Sequence, residues 1–541
     1  MSEPQVTSHS ANNRINLLTK LQQDTFDCII IGGGITGAGL ANAAASSGLK
    51  VALVEADDFA SGTSSKSTKL IHGGLRYLAM GDFALVKESA LERKELYRIA
   101  PHLAEPHWMV LPARNRAEFL KFRVGVNLYE KLGAVEAKDR HQNWGAEKLC
   151  AELPMIDRRN TPFACAYREY LTDDARLVLA NIRKAALYGT ISCNYLRVTQ
   201  FLKENNKISG VEARCSLSGD TIAIKSRCVI NASGPWAEEL CYMDQNSHQQ
   251  KLQLSKGVHV VVPAEKLPVK HPIMLVTPDG RPLFAIPHGA ATYLGTTDTV
   301  FNKAANYWPH IEVSDVDYIL RNSNANFPEY QLCVDDCMSA WSGLRPLISN
   351  NKKMNTKKIS RKDEVWVSSS GLITIAGGKL TGYRKMAEHV LATLKSKHNF
   401  LLANKPVDET LPGGNFPGNV NALAESYVKE HGVSNELTSR LVRLYGTESK
   451  SILNANKDQF ADDFPLLKSE IAWGVYNESA QRLTDMIYRR TRCAIYYPKE
   501  TKHYLTAIGQ YMATLVKWTP QQTEKEIADA KRQLVADILF T

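Results

Sequence analysis

A glycine-rich segment near the amino terminus constrains the fold of this chain more than any other feature. The apolar run 28–31, Cys-Ile-Ile-Ile, is typical of a strand buried on both faces. Three glycines follow it with the spacing Gly-x-Gly-x-x-Gly: Gly32, Gly34 and Gly37. Small residues over 38–47 then predict a helix, and the apolar run 51–54 predicts a second strand that ends at Glu55. This order predicts a Rossmann-like α/β unit, and an ordinary α/β turn is the alternative.

Each part of this pattern has a physical role in binding a dinucleotide. Gly32 permits a tight turn, Gly34 lets the backbone approach a pyrophosphate, and Gly37 lets the helix lie close to the strand. The free N–H groups and the positive dipole end of the helix favour the phosphates. Glu55 can accept hydrogen bonds from a ribose 2′-hydroxyl, and its charge disfavours a 2′-phosphate. We therefore expect FAD or NAD rather than NADP.

Length and composition are those of an ordinary globular protein. The 541 residues predict two or three domains, and 44% hydrophobic with 23% charged residues are typical values. The formal net charge of +10 permits attraction to acidic lipid or to an anionic substrate, and it does not indicate a nucleic-acid-binding protein. The ten cysteines form no Cys-x-x-Cys pair, so we expect no metal site and a reducing compartment.

Targeting and membrane-spanning signals are not visible in the sequence. The first 25 residues are polar, without the apolar core of a signal peptide or the Arg-rich pattern of a mitochondrial leader. No apolar run reaches the length of about 18 residues that a spanning helix needs. These features predict a cytoplasmic protein, which can still lie on a membrane surface.

The residues after Glu55 carry the strongest family signal. Residues 63–78 read Thr-Ser-Ser-Lys-Ser-Thr-Lys-Leu-Ile-His-Gly-Gly-Leu-Arg-Tyr-Leu, and their hydroxyl groups and glycines suit a groove that binds phosphate and ribityl groups. Because this stretch directly follows the dinucleotide fingerprint, it resembles the FAD-dependent glycerol-3-phosphate dehydrogenases. Further motifs of that family follow in order: Asn-Ala-Ser-Gly-Pro-Trp (231–236), Ser-Lys-Gly-Val-His (255–259), Gly-Thr-Thr-Asp (295–298), Ser-Gly-Leu-Arg-Pro-Leu (342–347) and Ala-Gly-Gly-Lys-Leu-Thr (376–381). Ser233 stands where the family usually has Thr.

The resemblance covers nearly the whole chain after residue 25 and implies an α/β fold. In it, a FAD-binding Rossmann-like domain is interleaved with an antiparallel-sheet substrate domain, as in D-amino-acid oxidase, and a helical C-terminal domain follows. The expected division is a polar tail (1–25), FAD-binding parts (26–100, 166–240, 340–402), substrate-domain parts (101–165, 241–339), a linker (403–419) and the helical domain (420–541). The cluster Arg489, Arg490 and Arg492 in the last of these is predicted to be structural rather than catalytic.

FAD is the cofactor that the resemblance implies. The residues expected to bind it are Gly32, Gly33, Gly34, Ile35, Thr36, Gly37, Glu55, Ala56, Ser64, Ser65, Ser67, Lys69, Leu70, His72, Gly73, Gly74, Val198, Ala232, Gly234, Gly378 and Thr381. Of these, Val198 is expected to touch the adenine through its backbone. The helix that begins after Thr381 is expected to direct its N-terminus at the flavin ring.

Three cations lie among glycines rather than on helix faces: Arg76, Arg345 and Lys379. Such cations suit the binding of a small anion such as a phosphate monoester, whereas the alternative is pairing with acidic neighbours. The family motif Lys-Gly-x-His makes His259 the candidate base, because an imidazole accepts a proton near neutrality. Tyr77 is grouped with Arg76 as a candidate catalytic residue, and His72 is a weaker alternative for the base.

The resemblance implies oxidation of sn-glycerol 3-phosphate to dihydroxyacetone phosphate, with hydride transfer to FAD and electrons passed to a membrane quinone of the respiratory chain. Residues 114–131 form a basic amphipathic segment that suits a bilayer interface, or alternatively packs on its own domain. The expected location is therefore peripheral, on the cytoplasmic face of the inner membrane, and a homodimer is left open. Rival hypotheses are a glycerol-3-phosphate oxidase, an amine or amino-acid oxidase of the same fold, and a non-catalytic module that docks on membrane or RNA.

Overall fold

The computed structural model describes residues 9–72, 78, 81–157, 159, 161–245, 250–348, 363–403 and 410–540. The strands in these ranges are β1 Thr25–Ile31, β2 Val51–Val54, β3 Leu70–Ile71, β4 Glu105–Ala113, β5 Gln142–Trp144, β6 Phe163–Leu171, β7 Ile191–Cys193, β8 Leu196–Glu204, β9 Lys207–Cys215, β10 Thr221–Asn231, β11 Leu252–Pro263, β12 Ile273–Val276, β13 Pro282–His288, β14 Ala291–Gly295, β15 Thr299–Phe301, β16 Ser339–Ile348, β17 Asp363–Val367, β18 Ile373–Gly377, β19 Gln459–Ala461 and β20 Phe464–Leu467.

The α-helices in the same ranges are α1 Arg14–Gln23, α2 Ile35–Ser46, α3 Phe83–Ile99, α4 Arg116–Leu132, α5 Ala146–Glu152, α6 Asp174–Leu187, α7 Ala237–Asp244, α8 Val313–Asn324, α9 Tyr383–His398, α10 Val420–His431, α11 Asn435–Tyr445, α12 Ser449–Ala455, α13 Lys468–Asn477, α14 Leu483–Asp485, α15 Cys493–Tyr496, α16 Pro498–Val516 and α17 Pro520–Ala536. A π-helical turn, Met486–Arg490, joins α14 to the segment before α15.

A mainly parallel sheet forms the first layer of the fold, with the order β17-β18-β10-β1-β2-β7 and with β9 and β8 extending from β10. Strands β1, β2, β7, β10 and β18 run parallel, so their carboxyl ends meet at one edge. Successive β1 side chains lie on opposite faces of the sheet, because side chains alternate along a strand. Cys28 and Ile30 pack with α2, α6 and α9, whereas Ile29 packs with Leu21 of α1 and with β8 and β9.

A second, largely antiparallel sheet has the order β15-β11-β14-β13-β12-β4-β6-β3, with β16 beside β11 and β5 beside β6. In this sheet His259 of β11 lies opposite Trp341 of β16 and Gly295 of β14. The C-terminal helices pack on this sheet, since Phe464, Ile487 and other residues after 460 share a core with Val261 and Tyr293. The two sheets and the C-terminal helices are the architecture that the sequence predicts, and the predicted fold class is confirmed.

Three elements lie elsewhere than the predicted division implies. The segment expected as a polar tail contains α1, because Leu17 and Leu21 on one face of this helix are buried. Strand β6 crosses the expected boundary at residue 166. Strand β16, expected with the FAD-binding parts, pairs with β11 from Leu252–Ile348 to Val261–Ser339 in the antiparallel sheet. Division into domains otherwise stays a prediction.

Within the described ranges, no helix is both long and apolar enough to cross a membrane. The same part of the chain holds no group of three or more His, Cys, Asp or Glu side chains suited to a metal ion.

Helix α1 offers a test of this packing with an internal control. Leu21 is fully buried against the parallel sheet, whereas Ile15 on the same helix is 82% exposed. We expect Leu21→Ala to lower the free energy of unfolding by about 2–5 kcal/mol, because it removes buried methyl groups and leaves a cavity. Ile15→Ala should change it by no more than about 0.5 kcal/mol. Denaturant unfolding of both variants measures the difference, and equal effects would contradict the docked position of α1.

Candidate functional site

A cleft opens at the edge where the parallel strands end, and its empty volume, including the mouth, is about 1210 Å³. Turns after β1, β2, β10 and β18 converge there because parallel strands present their carboxyl ends to the same side. Residues from these turns and from three other segments line it: Gly32, Gly34, Ile35, Thr36, Glu55, Ala56, Ser61, Gly62, Thr63, Ser64, Arg197, Val198, Ala232, Ser233, Gly234, Trp236, Tyr307, Pro346, Gly377, Gly378, Lys379 and Leu380.

The first glycine turn leaves no room for side chains. Gly32 has φ +115°, and a Cβ there would lie 2.6 Å from the carbonyl oxygen of Ala232. A Cβ at Gly37 would lie 1.9 Å from the carbonyl oxygen of Gly32. Helix α2 begins at once after this turn, and its Ile35 N–H donates to Ser64 Oγ at 3.0 Å. The cradle is therefore a backbone surface at a helix N-terminus, as a pyrophosphate requires.

Glu55 is held at the end of β2 as an acceptor inside the cleft. Its Oε2 accepts from the Gly33 N–H at 2.6 Å, and its Oε1 accepts from the Asp57 N–H at 2.9 Å. Burial raises the pKa of Glu55, although these two N–H groups oppose the shift. An oriented carboxylate beside the glycine turn fits the ribose hydroxyls of an adenine dinucleotide.

Two aromatic residues of this cleft are not predicted from the sequence. The Tyr307 hydroxyl donates to Glu55 Oε1 at 3.2 Å, and the Tyr307 and Trp236 rings lie 4.5 Å apart. Tyr307 comes from the polar connection between β15 and α8, which reaches across from the antiparallel sheet. Trp236 lies in the predicted motif after β10, but Tyr307 has no signal beyond being aromatic in a polar segment.

The last glycine turn joins β18 to α9. Gly377 and Gly378 have φ values of +80° and +70°, and Lys379 follows them on the cleft wall. A Cβ at Gly378 would lie 2.5 Å from Met386 Sδ, so the turn packs tightly on the helix it precedes. The Thr381 hydroxyl donates to the His72 carbonyl at 3.1 Å, which ties this turn to the segment after β3.

His259 is fully buried on β11, with its ring stacked on Trp341 at 4.8 Å. Its Nε2 lies 3.0 Å from Thr68 Oγ1, while its Nδ1 has no hydrogen-bond partner among the described residues. Burial, together with the positive charges of Arg345 and Lys69, lowers the pKa of His259 well below its ordinary value. The imidazole is therefore uncharged at neutral pH.

Arg345 of β16 lies over the backbone of β11. Its Nη1 donates to the Thr297 carbonyl at 3.2 Å and its Nη2 to Thr296 Oγ1 at 2.9 Å. A Cβ at Gly257 would lie 2.2 Å from the Arg345 guanidinium, so a glycine at that position leaves the space for it. Asp298 Oδ1 lies 4.0 Å from Arg345 Nη1.

The structure brings together most of the expected cofactor residues. On the cleft wall are Gly32, Gly34, Ile35, Thr36, Glu55, Ala56, Ser64, Val198, Ala232, Gly234 and Gly378. Gly33, Gly37, Ser65, Ser67, Lys69 and Thr381 belong to the turns of the wall or to the adjoining loop, whereas Leu70 lies on β3 and His72 directly after it. His259 and Arg345 lie on the antiparallel sheet, outside the residues that line the cleft. Gly73, Gly74, Arg76 and Tyr77 lie outside the described residues.

Comparison with known proteins identifies the class first. A family model described as FAD dependent oxidoreductase matches residues 27–384, and the model of the C-terminal domain of alpha-glycerophosphate oxidase matches residues 407–523. A solved structure, the glycerol-3-phosphate dehydrogenase from Bacillus halodurans complexed with FAD, aligns with a TM-score of 0.82 at 33% identity, covering 98% of this chain and 99% of that one. The fold and cleft are thus those of an FAD-dependent oxidoreductase, and its cofactor is FAD.

Relatives over the full length narrow the class to a family. The aerobic glycerol-3-phosphate dehydrogenase of Bacillus subtilis is 36% identical over 97% of both chains, and that of Staphylococcus aureus is 36% identical over 95% of both. The chain belongs to the family of aerobic glycerol-3-phosphate dehydrogenases. The L-alpha-glycerophosphate oxidase of Mycoplasma pneumoniae, at 18% identity and a TM-score of 0.56, shares the fold.

The close contact at Gly37 predicts a cofactor-binding defect. In Gly37→Ala the new methyl group collides with the Gly32 carbonyl, and such overpacking costs about 1–3 kcal/mol. We expect FAD to bind roughly ten- to a hundredfold more weakly, as measured by fluorescence titration of the apoprotein. Gly125→Ala is the control, because the nearest atom to a Cβ there lies 3.9 Å away. Unchanged FAD affinity in Gly37→Ala would contradict the assigned role of this turn.

Proposed function

We propose that the protein oxidises sn-glycerol 3-phosphate to dihydroxyacetone phosphate and transfers the hydride to FAD. The observation that carries this proposal is the 36% identity, over 97% of both chains, to an enzyme named aerobic glycerol-3-phosphate dehydrogenase. The cleft is consistent with it, because Lys379 and Pro346, the residue after Arg345, line the cleft, and the buried His259 contacts Thr68 of the loop that follows the cleft residue Ser64. FAD, when bound, supplies the acceptor for the hydride from C2 of the substrate.

His259 is the proposed acceptor of the C2 hydroxyl proton. Because burial and Arg345 keep its imidazole uncharged, a nitrogen lone pair is available at neutral pH. Nδ1 is free of partners among the described residues, whereas Nε2 is occupied by Thr68. A substrate phosphate near Arg345 would offset the positive charge that opposes protonation of His259. Substrate binding would thereby make this base stronger when it is needed.

Arg345 and Lys379 are the proposed anion ligands, together with Arg76. Arg345 is half-buried and already oriented by Thr296 and Thr297, so little side-chain entropy is lost when it binds a phosphate oxygen. Lys379 lines the cleft directly after the Gly377–Gly378 turn. These cations would hold the phosphate so that C2 faces the flavin.

Flavin reduction by the substrate tests this function. We expect anaerobic addition of glycerol 3-phosphate, but not of D-amino acids or sarcosine, to bleach the flavin absorbance. Arg345→Gln should raise KM about 10- to 100-fold, because a charge-assisted hydrogen bond contributes about 1.5–3 kcal/mol.

Arg227→Gln is the matched control for this substitution. Arg227 is exposed near the amino end of the parallel strands, where it pairs with Asp27. The Arg227→Gln variant should therefore have an unchanged KM for glycerol 3-phosphate. A flavin that glycerol 3-phosphate fails to reduce, or equal KM values for the two variants, would refute the assignment.

The electron acceptor is proposed to be a membrane quinone. The rival is molecular oxygen, favoured by the match of residues 407–523 to the C-terminal domain of alpha-glycerophosphate oxidase. The yield of hydrogen peroxide distinguishes the two acceptors, because an oxidase releases one peroxide for each substrate molecule and a dehydrogenase does not.

Helix α4 supplies the proposed membrane contact. Leu120, Val124 and Leu128 recur at every fourth position and are 55%, 59% and 38% exposed. Exposed cations flank them: Arg116, Lys121, Arg123 and Lys131. An apolar stripe bordered by cations suits the interface of an anionic bilayer, on the cytoplasmic face where a quinone would be reached. The inner side of α4 is anchored by buried Val126 and Tyr129.

Helix α3 connects α4 to the cleft. A Cβ at Gly133, just after α4, would lie 2.8 Å from Ala90 of α3. Glu95 of the same helix binds Arg384, in the first turn of α9, at 3.1 Å. Burial raises the pKa of Glu92, which also faces Arg384, to about 7.

Vesicle binding tests the docking surface. We expect the triple variant Leu120→Ser, Val124→Ser, Leu128→Ser to lose co-sedimentation with anionic lipid vesicles while still reducing a soluble dye with glycerol 3-phosphate. These three substitutions remove the exposed apolar side chains of α4, and with them most of its apolar contribution to binding. The control replaces Val535, Ile538 and Leu539, which are comparably exposed near the C-terminus, by Ser. Vesicle binding lost equally in the two triple variants, or retained in the first, would refute α4 as the contact.

A further inference from the structure

The C-terminal region reaches into the FAD-binding part of the molecule through one arginine. Arg492 is 2% exposed and has a left-handed backbone, with φ 62°. Its Nε donates to Asp173 Oδ2 at 2.8 Å, its Nη2 donates to Asp174 Oδ1, and its Nη1 donates to the Tyr488 carbonyl at 2.9 Å. The guanidinium thus bridges the π-helical turn and the start of α6.

Asp174 shares its carboxylate between this arginine and the segment Ser65–Lys69, named here the hydroxyl loop. Its Oδ2 accepts from the Ser67 N–H at 3.0 Å and from Ser67 Oγ at 2.7 Å. Its Oδ1 also accepts from Lys69 Nζ at 3.0 Å. Asp174 is fully buried, so each of these charge-assisted bonds acts in a medium that screens charge weakly.

The hydroxyl loop in turn touches the candidate base. Thr68 Oγ1 lies 3.0 Å from His259 Nε2, and the Thr68 carbonyl accepts from the Tyr293 hydroxyl at 3.1 Å. The Ser67 carbonyl accepts from Trp341 Nε1 at 3.2 Å. The loop directly follows Thr63 and Ser64 on the cleft wall.

The conformation of the hydroxyl loop at Lys69 depends on the hydrogen bonds of the Lys69 side chain. Its backbone is left-handed, with φ 56°, and its Nζ donates to the Ser65 carbonyl at 3.0 Å as well as to Asp174. Burial and the nearby Arg492 lower the pKa of Lys69 to about 8. Arg492 therefore influences both the position of the loop, through Asp174, and the pKa of Lys69.

We propose that Arg492 is a positioning residue of the C-terminal region, which fixes the hydroxyl loop through Asp174 and thereby sets FAD affinity and the environment of His259. The other arginines of the cluster act differently, because Arg489 and Arg490 bind Asp58. The FAD-affinity part of this inference rests on the FAD site, and only the part concerning His259 rests on the proposed function.

FAD affinity of the apoprotein is the first measurement. We expect Arg492→Gln to raise the Kd for FAD on the order of tenfold, because a displaced loop misplaces groups on the cleft wall. Arg492→Lys keeps the positive charge but loses the two-pronged guanidinium, so its Kd for FAD should lie between those of Arg492→Gln and the unchanged protein. Arg492→Lys replaces Arg492→Gln in this test if the latter does not fold. Arg183→Gln is the control, since Arg183 binds Glu448 at 2.5 and 2.7 Å between α6 and the C-terminal region without touching the loop.

A double-variant cycle separates positioning from general support. If Arg492 acts through Asp174, Asp174→Asn weakens FAD binding as well, and the double variant binds FAD no more weakly than Asp174→Asn alone. Additive losses, or equal Kd values for the Arg183 and Arg492 variants, would overturn the inference.

The pH profile of flavin reduction by glycerol 3-phosphate is the second readout. It should shift in Arg492→Lys and not in Arg183→Gln, because Thr68 contacts the candidate base. An unshifted profile overturns the part of the inference that concerns His259. If glycerol 3-phosphate does not reduce the flavin of the unchanged protein, the proposed function fails while the FAD titrations still decide the role of Arg492.

Discussion

The fold depends on a close approach of three backbone segments at the edge of the parallel sheet. The Gly32 carbonyl packs against Gly37 at the first turns of α2, and Gly32 itself lies against Ala232 at the end of β10. No side chain fits at either contact, so the strand, the helix and the neighbouring strand lie at backbone distance. The N-terminus of α2, the Glu55 carboxylate and the turn after β10 consequently face one cleft. Much of the cleft's shape follows from this contact, because the turns after β1, β2, β10 and β18 form most of its lining.

The antiparallel sheet and the C-terminal region complete the site by long-range contacts. Strand β16 aligns Trp341 with His259, and the connection that carries Tyr307 crosses to Glu55. Arg492 crosses from the C-terminal region to Asp174 at the start of α6. Trp341 and His259 contact each other through stacked rings, whereas the other two contacts pair polar groups, and the buried Arg492 and Asp174 would be costly to leave unpaired. The antiparallel sheet therefore contacts the cleft through Tyr307, and the C-terminal region contacts the start of α6 through Arg492.

Local patterns made the first unit predictable, because the strand, glycine turn, helix and acidic residue are close in sequence and each has its own signal. Most expected cofactor residues consequently lie on the cleft wall or directly behind it. Strand β8 carries no comparable signal, because exposed residues such as Arg197 and Lys203 interrupt its apolar pattern. Helix α1 buries only Leu17 and Leu21, and two apolar positions in a polar segment are too few to predict a helix.

The sequence does not reveal which distant segments pair in the fold. Nothing local in residues 339–348 reveals that this strand joins β11 rather than the parallel sheet. The contacts of Tyr307 with Glu55, and of Arg492 with Asp174, join residues 252 and 318 positions apart. The family resemblance supplied the identity of FAD and the candidate base, which composition and spacing alone left open.

The contacts of α3 have a mechanical consequence. This 17-residue helix meets α4 on one side and the start of α9 on the other. A helix transmits displacement as a stiff rod, and packed helices lie only 8–10 Å apart, a separation of about one helix diameter. A displacement of α4 would therefore be passed through α3 to the first turn of α9, which follows the Lys379 turn. Helix α3 thus lies between the surface proposed to meet the bilayer and the helix that follows the Lys379 turn of the cleft wall.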